Sequence, residues 1–203
     1  MSSFSLKLNR SNLELEFTRA LGNSTEVKMI ADRQFRSIFN AAHRVMIKEF
    51  DRHPITSEID AGPRAVNLSE TLGGYGNLFS FIGFEAGSEP TQNLKDLLML
   101  TVNYRQTVYR NRAWYFKVYI PSKEDIADAS PMPWEAGNSW ALQIEKSNGI
   151  SGLSAYMYAK WNGGRSKQGF QLPYENQEDA AFSAKPYLSE ILANFKNRIN
   201  HKE

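Results

Sequence analysis

Leu72–Phe84 reads LGGYGNLFSFIGF, thirteen residues with no charge, four glycines and four aromatics. Glycine gives the backbone freedom and close approach, and aromatic rings carry large burial areas. The run follows His53–Glu70, a polar stretch with two prolines that reads as a loop. Gly73, Gly74 and Gly76 then read as an elbow. Asn77–Phe84 reads as a strand whose alternate faces meet a helix layer and a neighbouring subunit. Phe79, Phe81 and Phe84 are expected at packing or inter-subunit contacts. A ligand-cradling glycine loop does not fit, because Gly73–Gly76 lacks both the lysine of a P-loop and the third glycine of a dinucleotide fingerprint.

N-terminal to this run lies the strongest periodic segment. From Glu26 to Phe50, Val27, Ile30, Ala31, Phe35, Ile38, Phe39, Ala42, Val45, Met46 and Phe50 form one apolar stripe. Arg33, Arg36, Arg44 and Lys48 lie off it, as on an amphipathic helix. Ser24 or Thr25 caps its start, and Pro54 closes its end. Before it, Phe4, Leu6, Leu8, Leu13, Leu15 and Phe17 alternate with polar residues, which predicts a β-hairpin arm over residues 1–22.

C-terminal to the run, a short helix is expected over Thr91–Leu100. Strands follow at Val102–Arg110 and Ala113–Ile120, with Trp114, Phe116, Val118 and Ile120 on one face and Tyr115, Lys117 and Tyr119 on the other. Ser122 and Asp125 have capping-box spacing. Asn138 is expected to cap Ser139–Lys146, which Gly149 ends. Two strands are expected within 153–172 around Asn162–Gly164, and a last helix over Lys185–Ile199. The chain is therefore expected to be α+β, an antiparallel sheet packed by two main helices, with long loops. The N-terminal arm is followed by a single domain over 23–203.

The composition is that of an ordinary globular protein: 203 residues, 41% hydrophobic and 23% charged. Mean hydropathy is −0.49, and no apolar stretch approaches the roughly 20 residues that span a bilayer. The opening MSSFSLKLNR lacks the order of a signal peptide. A soluble chain that stays where it is made, with no membrane partner, is expected. With no cysteine, disulfides, thiolate metal sites and cysteine nucleophiles are excluded. A net charge of +2 does not by itself call for nucleic acid.

Chemistry-bearing patterns are sparse. His43 sits beside the apolar stripe and reads as a rim residue. His53, with Asp51, Glu58 and Asp60, only loosely resembles a metal site, and no two histidines have ligand spacing. Gly149-Ile-Ser-Gly-Leu153 is one residue out of register for a nucleophile elbow. Glu124/Asp125 and Glu178/Asp179 sit in polar turns, although carboxylates can converge in three dimensions to serve a hydrolase. Tyr104–Lys117 interleaves basic and aromatic residues on strands, a pattern that tracks phosphates and stacks bases; the plainer reading puts Trp114 and Phe116 in the core and keeps the cations solvated. No enzyme activity, cofactor or metal is expected.

The order of parts resembles the tail-completion, or neck, proteins of tailed bacteriophages over roughly residues 26–199. The long helix ends in HPITSEI, His53–Ile59; the extended segment Gly76–Gly83 follows. A helix at Ser139–Glu145 then leads into Gly149–Leu153, and Ala184-Lys-Pro-Tyr-Leu188 matches the family's "small, x, proline, aromatic, leucine" helix start. Thr56 is followed by Ser57-Glu58 where the family has glycine-leucine, and Asp60–Thr71 is longer than the family's version. The resemblance implies two helices on an antiparallel sheet, made in the host cytoplasm and assembled into a homo-oligomeric, six-fold ring of the virion. Such a ring joins portal or connector proteins of the head to tail-tube or terminator proteins and lines the DNA channel. Trp134 and Trp161 are then candidate contacts with the next ring, and Arg105, Arg110, Arg112 and Lys117 candidate DNA-channel contacts. A tail terminator ring, or a single-strand nucleic-acid-binding module, is the alternative.

Overall fold

The computed structural model describes residues 10–72, 76–110, 113–134, 137–145 and 184–200. Within them the fold is α+β, and no helix is long and apolar enough to cross a membrane. By internal contacts the chain divides into two compact units. One draws on Met1–Ala41 and Asn103–Tyr119, the other on Ala42–Val102 and Ile120–Glu203.

The first unit holds α1 (Arg10–Asn23), the N-terminal part of α2 (Thr25–Arg52), and a two-stranded antiparallel sheet, β1 (Asn103–Arg110) with β2 (Ala113–Tyr119). The expected hairpin arm is corrected over 10–22, which are helical; residues 1–9 lie outside the described residues. Leu13, Phe17 and Leu21 also recur at four-residue spacing, so a short apolar pattern could not separate strand from helix. Helical hydrogen bonds and a local Arg19–Glu16 ion pair of 3.0 Å accompany the helical outcome. Ser24 separates the two helices and caps α2, its Oγ accepting from the Val27 N–H at 3.3 Å. The sheet's inner face rests on aromatic contacts: Phe35 stacks on Phe116 with centroids 4.0 Å apart, and Tyr104 meets Phe35 edge-on at 4.9 Å. The Tyr109 ring packs so closely on α1 that a Cβ on Gly22 would lie 2.8 Å from it.

The second unit is helical. The C-terminal part of α2 leads into α3 (Pro54–Asp60), a 3-10 turn (Gly62–Arg64), α4 (Leu78–Ile82) and α5 (Gln92–Thr101). After the sheet come α6 (Lys123–Ala129), α7 (Trp140–Ile144) and α8 (Leu188–Asn200). Two expectations are corrected here. His53–Glu70 is not a plain loop: Pro54 opens α3, where its missing N–H costs nothing, and His53 Nδ1 accepts from the Ile55 N–H at 3.3 Å. Asn77–Phe84 is not a strand but the short helix α4. Asn77 caps it, accepting from the Ser80 N–H at 2.9 Å. Gly83 ends it at φ +87, with the Gly83 and Phe84 N–H groups both donating to the Phe79 carbonyl.

Two glutamates tie this unit together from a distance. Glu58 is fully buried and accepts the Ser69 N–H at 2.7 Å and the Leu78 N–H at 2.6 Å, so it closes the 58–78 loop and caps the start of α4. Glu145 accepts the Tyr187 and Ser189 N–H groups at 3.0 and 2.8 Å, capping α8 in the same way. Carboxylates suit these places because the first N–H groups of a helix have no internal partners. Around them Phe50, Phe79, Phe84, Trp140, Tyr187 and Phe195 are buried. Tyr187 donates or accepts through its hydroxyl with Thr56 at 2.8 Å, and burial raises its pKa.

The remaining expectations divide cleanly. The long helix, the helix expected over Thr91–Leu100 and both strands form within a residue or two of their expected ends, and the C-terminal helix starts at Leu188, three residues after the expected Lys185. The Ser122–Asp125 capping box forms with both of its bonds, at 2.7 and 3.1 Å. Ser139, not Asn138, caps α7. The Asn138 carbonyl instead accepts from the Met132 N–H at 2.8 Å in a small antiparallel bridge. Gly149, Gly149–Leu153, Glu178, Asp179 and the strands expected within 153–172 lie outside the described residues.

Candidate nucleic-acid interface

Alternation along β1 and β2 sorts the hairpin into two faces. Tyr104, Gln106, Tyr109, Trp114, Phe116 and Val118 are half-buried, and the residues between them are exposed. The inner face is held by named bonds. The Tyr104 hydroxyl donates to Asp32 at 3.2 Å and accepts from Arg36 at 3.3 Å, and Gln106 Nε2 donates to the Lys28 carbonyl at 3.3 Å. These contacts orient the outer face, which carries Arg105, Arg110, Tyr115, Lys117 and Tyr119.

The strand register brings Arg105 directly opposite Lys117. Like charges so placed repel, which is unfavourable for the sheet. Neither has a carboxylate partner among the described residues. Lys117 Nζ lies 5.1 Å from the centroid of the Tyr119 ring, a cation–π contact. Tyr115 and Tyr119 are 45% and 38% exposed, so their rings remain partly accessible to a partner. A register irregularity between Gln106 and Tyr109 leaves Val108 53% exposed. The face thus combines unneutralised cations with open aromatic rings. That combination suits a polyanion, through charge and stacking.

Of the expected DNA contacts, Arg105, Arg110 and Lys117 therefore stand exposed on one hairpin; Arg112 lies outside the described residues. The aromatic contact residues are placed otherwise. Phe79 and Phe84 are buried and pack on each other with centroids 5.5 Å apart; Phe84 also meets Trp140 edge-on at 5.7 Å. Phe81 is half-buried. Trp134, half-buried, donates its indole N–H to the Ile82 carbonyl at 3.0 Å. These four gather around α4, where Phe79 and Phe84 contribute to the protomer's own core. Trp161 lies outside the described residues.

The loose His53 cluster is dispersed. Asp51 pairs with Lys95 at 2.8 Å, Asp60 accepts from Thr91, Glu58 holds its two backbone N–H groups and His53 caps α3. Among the described residues no group of three His, Asp or Glu is placed to hold a metal ion. Sequence reading missed the roles of Glu58 and Glu145, since nothing local marks a carboxylate that caps a helix many residues away. It placed Arg44 and Lys48 off the apolar stripe of α2 but did not extend them to Arg52 as one exposed row, although the four-residue spacing was a legible signal. No family model matches the chain, and neither does any curated protein or solved structure.

Proposed function

We propose that this chain is a virion structural protein of a tailed phage. In this reading it is a neck or tail-completion subunit that forms a six-fold homo-oligomeric ring at the head–tail junction. The ring meets portal or connector proteins on one side and tail-tube or terminator proteins on the other, and it faces DNA passing through its channel. The observation that carries the reading is the outer hairpin face, where Arg105 stands opposite Lys117 with no described carboxylate to neutralise either. A row of phosphates relieves that repulsion without requiring any base sequence. The resemblance over residues 26–199 supplies the assembly. Met29, Ile30 and Ile38, exposed on α2, add apolar surface of the kind that subunit contacts cover.

Light scattering on the eluted full-length chain, with negative-stain imaging, tests the ring, and antibody labelling of purified particles tests its position. Closed rings and label at the head–tail junction are expected. A chain that stays monomeric at every concentration and is absent from particles overturns the proposal.

A second reading is favoured by Tyr115 and Tyr119 beside Lys117: a single-strand nucleic-acid-binding module, with the rings stacking bases. Tight, steeply salt-dependent binding of an oligothymidine by a monomer, lost in Tyr115→Ala, would select it over the ring.

A further inference from the structure

Along the C-terminal part of α2, Arg44, Lys48 and Arg52 follow one another at four-residue spacing, about 6 Å apart along the axis, and all three are exposed. The acids interleaved with them are already engaged, Glu49 with Arg198 and Asp51 with Lys95. None of the three cations has an ion-pair partner among the described residues. Beside this row runs an open groove of about 370 Å³ between α2 and α8. Val45 and Ile191 line its apolar part, Lys48, Arg52 and the Arg198-paired Glu49 its α2 wall, and Glu190 its α8 wall.

An apolar floor inside a charged rim is the anatomy of a protein-binding groove. The carboxylate on the far wall argues against a phosphate backbone as the occupant. The same chain carries a complementary surface. On α6, Lys123, Glu124 and Asp128 are exposed, and Glu124 and Asp128 repeat the four-residue spacing of Lys48 and Arg52. Asp125 between them is held by its capping box to Ser122.

We propose that α6 of one copy docks in the α2–α8 groove of the next copy, Glu124 and Asp128 against Lys48 and Arg52, and Lys123 against Glu190. The two patches differ, so the contact is heterologous and repeats head to tail; with a closing rotation it generates a ring. This pairing rests on the ring reading above and names the faces that join.

A charge-swap experiment on the full-length chain tests it, with sedimentation velocity as the readout. Lys48→Glu/Arg52→Glu and Glu124→Lys/Asp128→Lys should each weaken self-association by about 100-fold or more, since like charges are then juxtaposed. An equimolar mixture of the two variants should reassemble, because each then offers what the other lacks. Circular dichroism confirms that each variant folds, and the milder Lys48→Gln/Arg52→Gln gives a weaker loss of the same kind should the reversal unfold the chain. If the wild type assembles and either reversed variant assembles equally well, or the mixture stays monomeric, the pairing is overturned while the ring stands. If the groove variant instead loses duplex DNA binding with assembly intact, nucleic acid occupies the row and the pairing is overturned. A wild-type chain that never self-associates overturns both.

Discussion

Two aromatic-rich segments of this chain meet opposite circumstances. Around α4, Phe79 and Phe84 turn inward and pack on each other, Phe84 meets Trp140, and the buried Glu58 caps the helix. On the β1–β2 hairpin, half of the aromatics pack against helices while Tyr115 and Tyr119 stay open beside cations. Both segments looked suited to contact in the sequence. What separates them is periodicity and charge. A two-residue alternation with Arg105, Arg110 and Lys117 among its outer positions buries only one face, whereas in the uncharged run Leu78, Phe79, Ile82 and Phe84 are buried and Phe81 is half-buried.

Four measurements can break or sharpen this contrast. Phe79→Ala should cost about 3–5 kcal/mol of stability through the cavity it leaves, read as a shift in the urea midpoint, while Tyr115→Ala should shift it by about 0.5 kcal/mol or less. Comparable effects at the two sites would erase the distinction. Next, Glu58→Ala strands the Ser69 and Leu78 N–H groups without their acceptor and should cost roughly 2–4 kcal/mol in the same assay; a neutral result would mean that α4 does not depend on its remote cap.

A pH series locates a titrating joint in the helical unit. Burial lowers the His53 pKa below the ordinary 6.5, although Glu190, the Pro186 carbonyl and Glu145 oppose the shift. The unfolded chain therefore binds the proton more readily. The stability that neutral His53 contributes is full above pH 6.5 and is lost as pH falls through the lower folded value. His53→Asn keeps a capping acceptor but cannot titrate, so its melting temperature should change less than the wild type's between pH 7.5 and 5.5, values chosen to bracket the ordinary imidazole pKa. Parallel curves would rule this out.

The smallest effect is on the hairpin. Arg105→Glu replaces repulsion with attraction across from Lys117 and should stabilise the fold by about 0.2–1 kcal/mol, while weakening duplex binding. A destabilised variant would show that the like-charge pair carries no cost.

The long α2, both strands and the Ser122 capping box were legible because their signals are local: stripe, alternation, and a side chain reaching its own N–H three residues on. Arg105, Arg110 and Lys117 were legible as a basic-aromatic pattern for the same reason. Residues 10–17 and 77–84 were misread because a few apolar residues fit both periods. The flanking Asn77 and Gly83 were the overlooked helix signals.

By itself, then, the sequence determined which segments have a wet face and a dry one, and which helix ends cap themselves. Interactions spanning three or four residues carry that information whatever the rest of the chain does. Only the tertiary structure decided that Leu78–Ile82 closes as a helix under Glu58, and that Glu145 begins α8 from 44 residues away. It also set the register that opposes Arg105 and Lys117. In each case the partner is supplied by a distant part of the chain, and a buried N–H or an unneutralised charge acquires its energy only once that partner's distance is set.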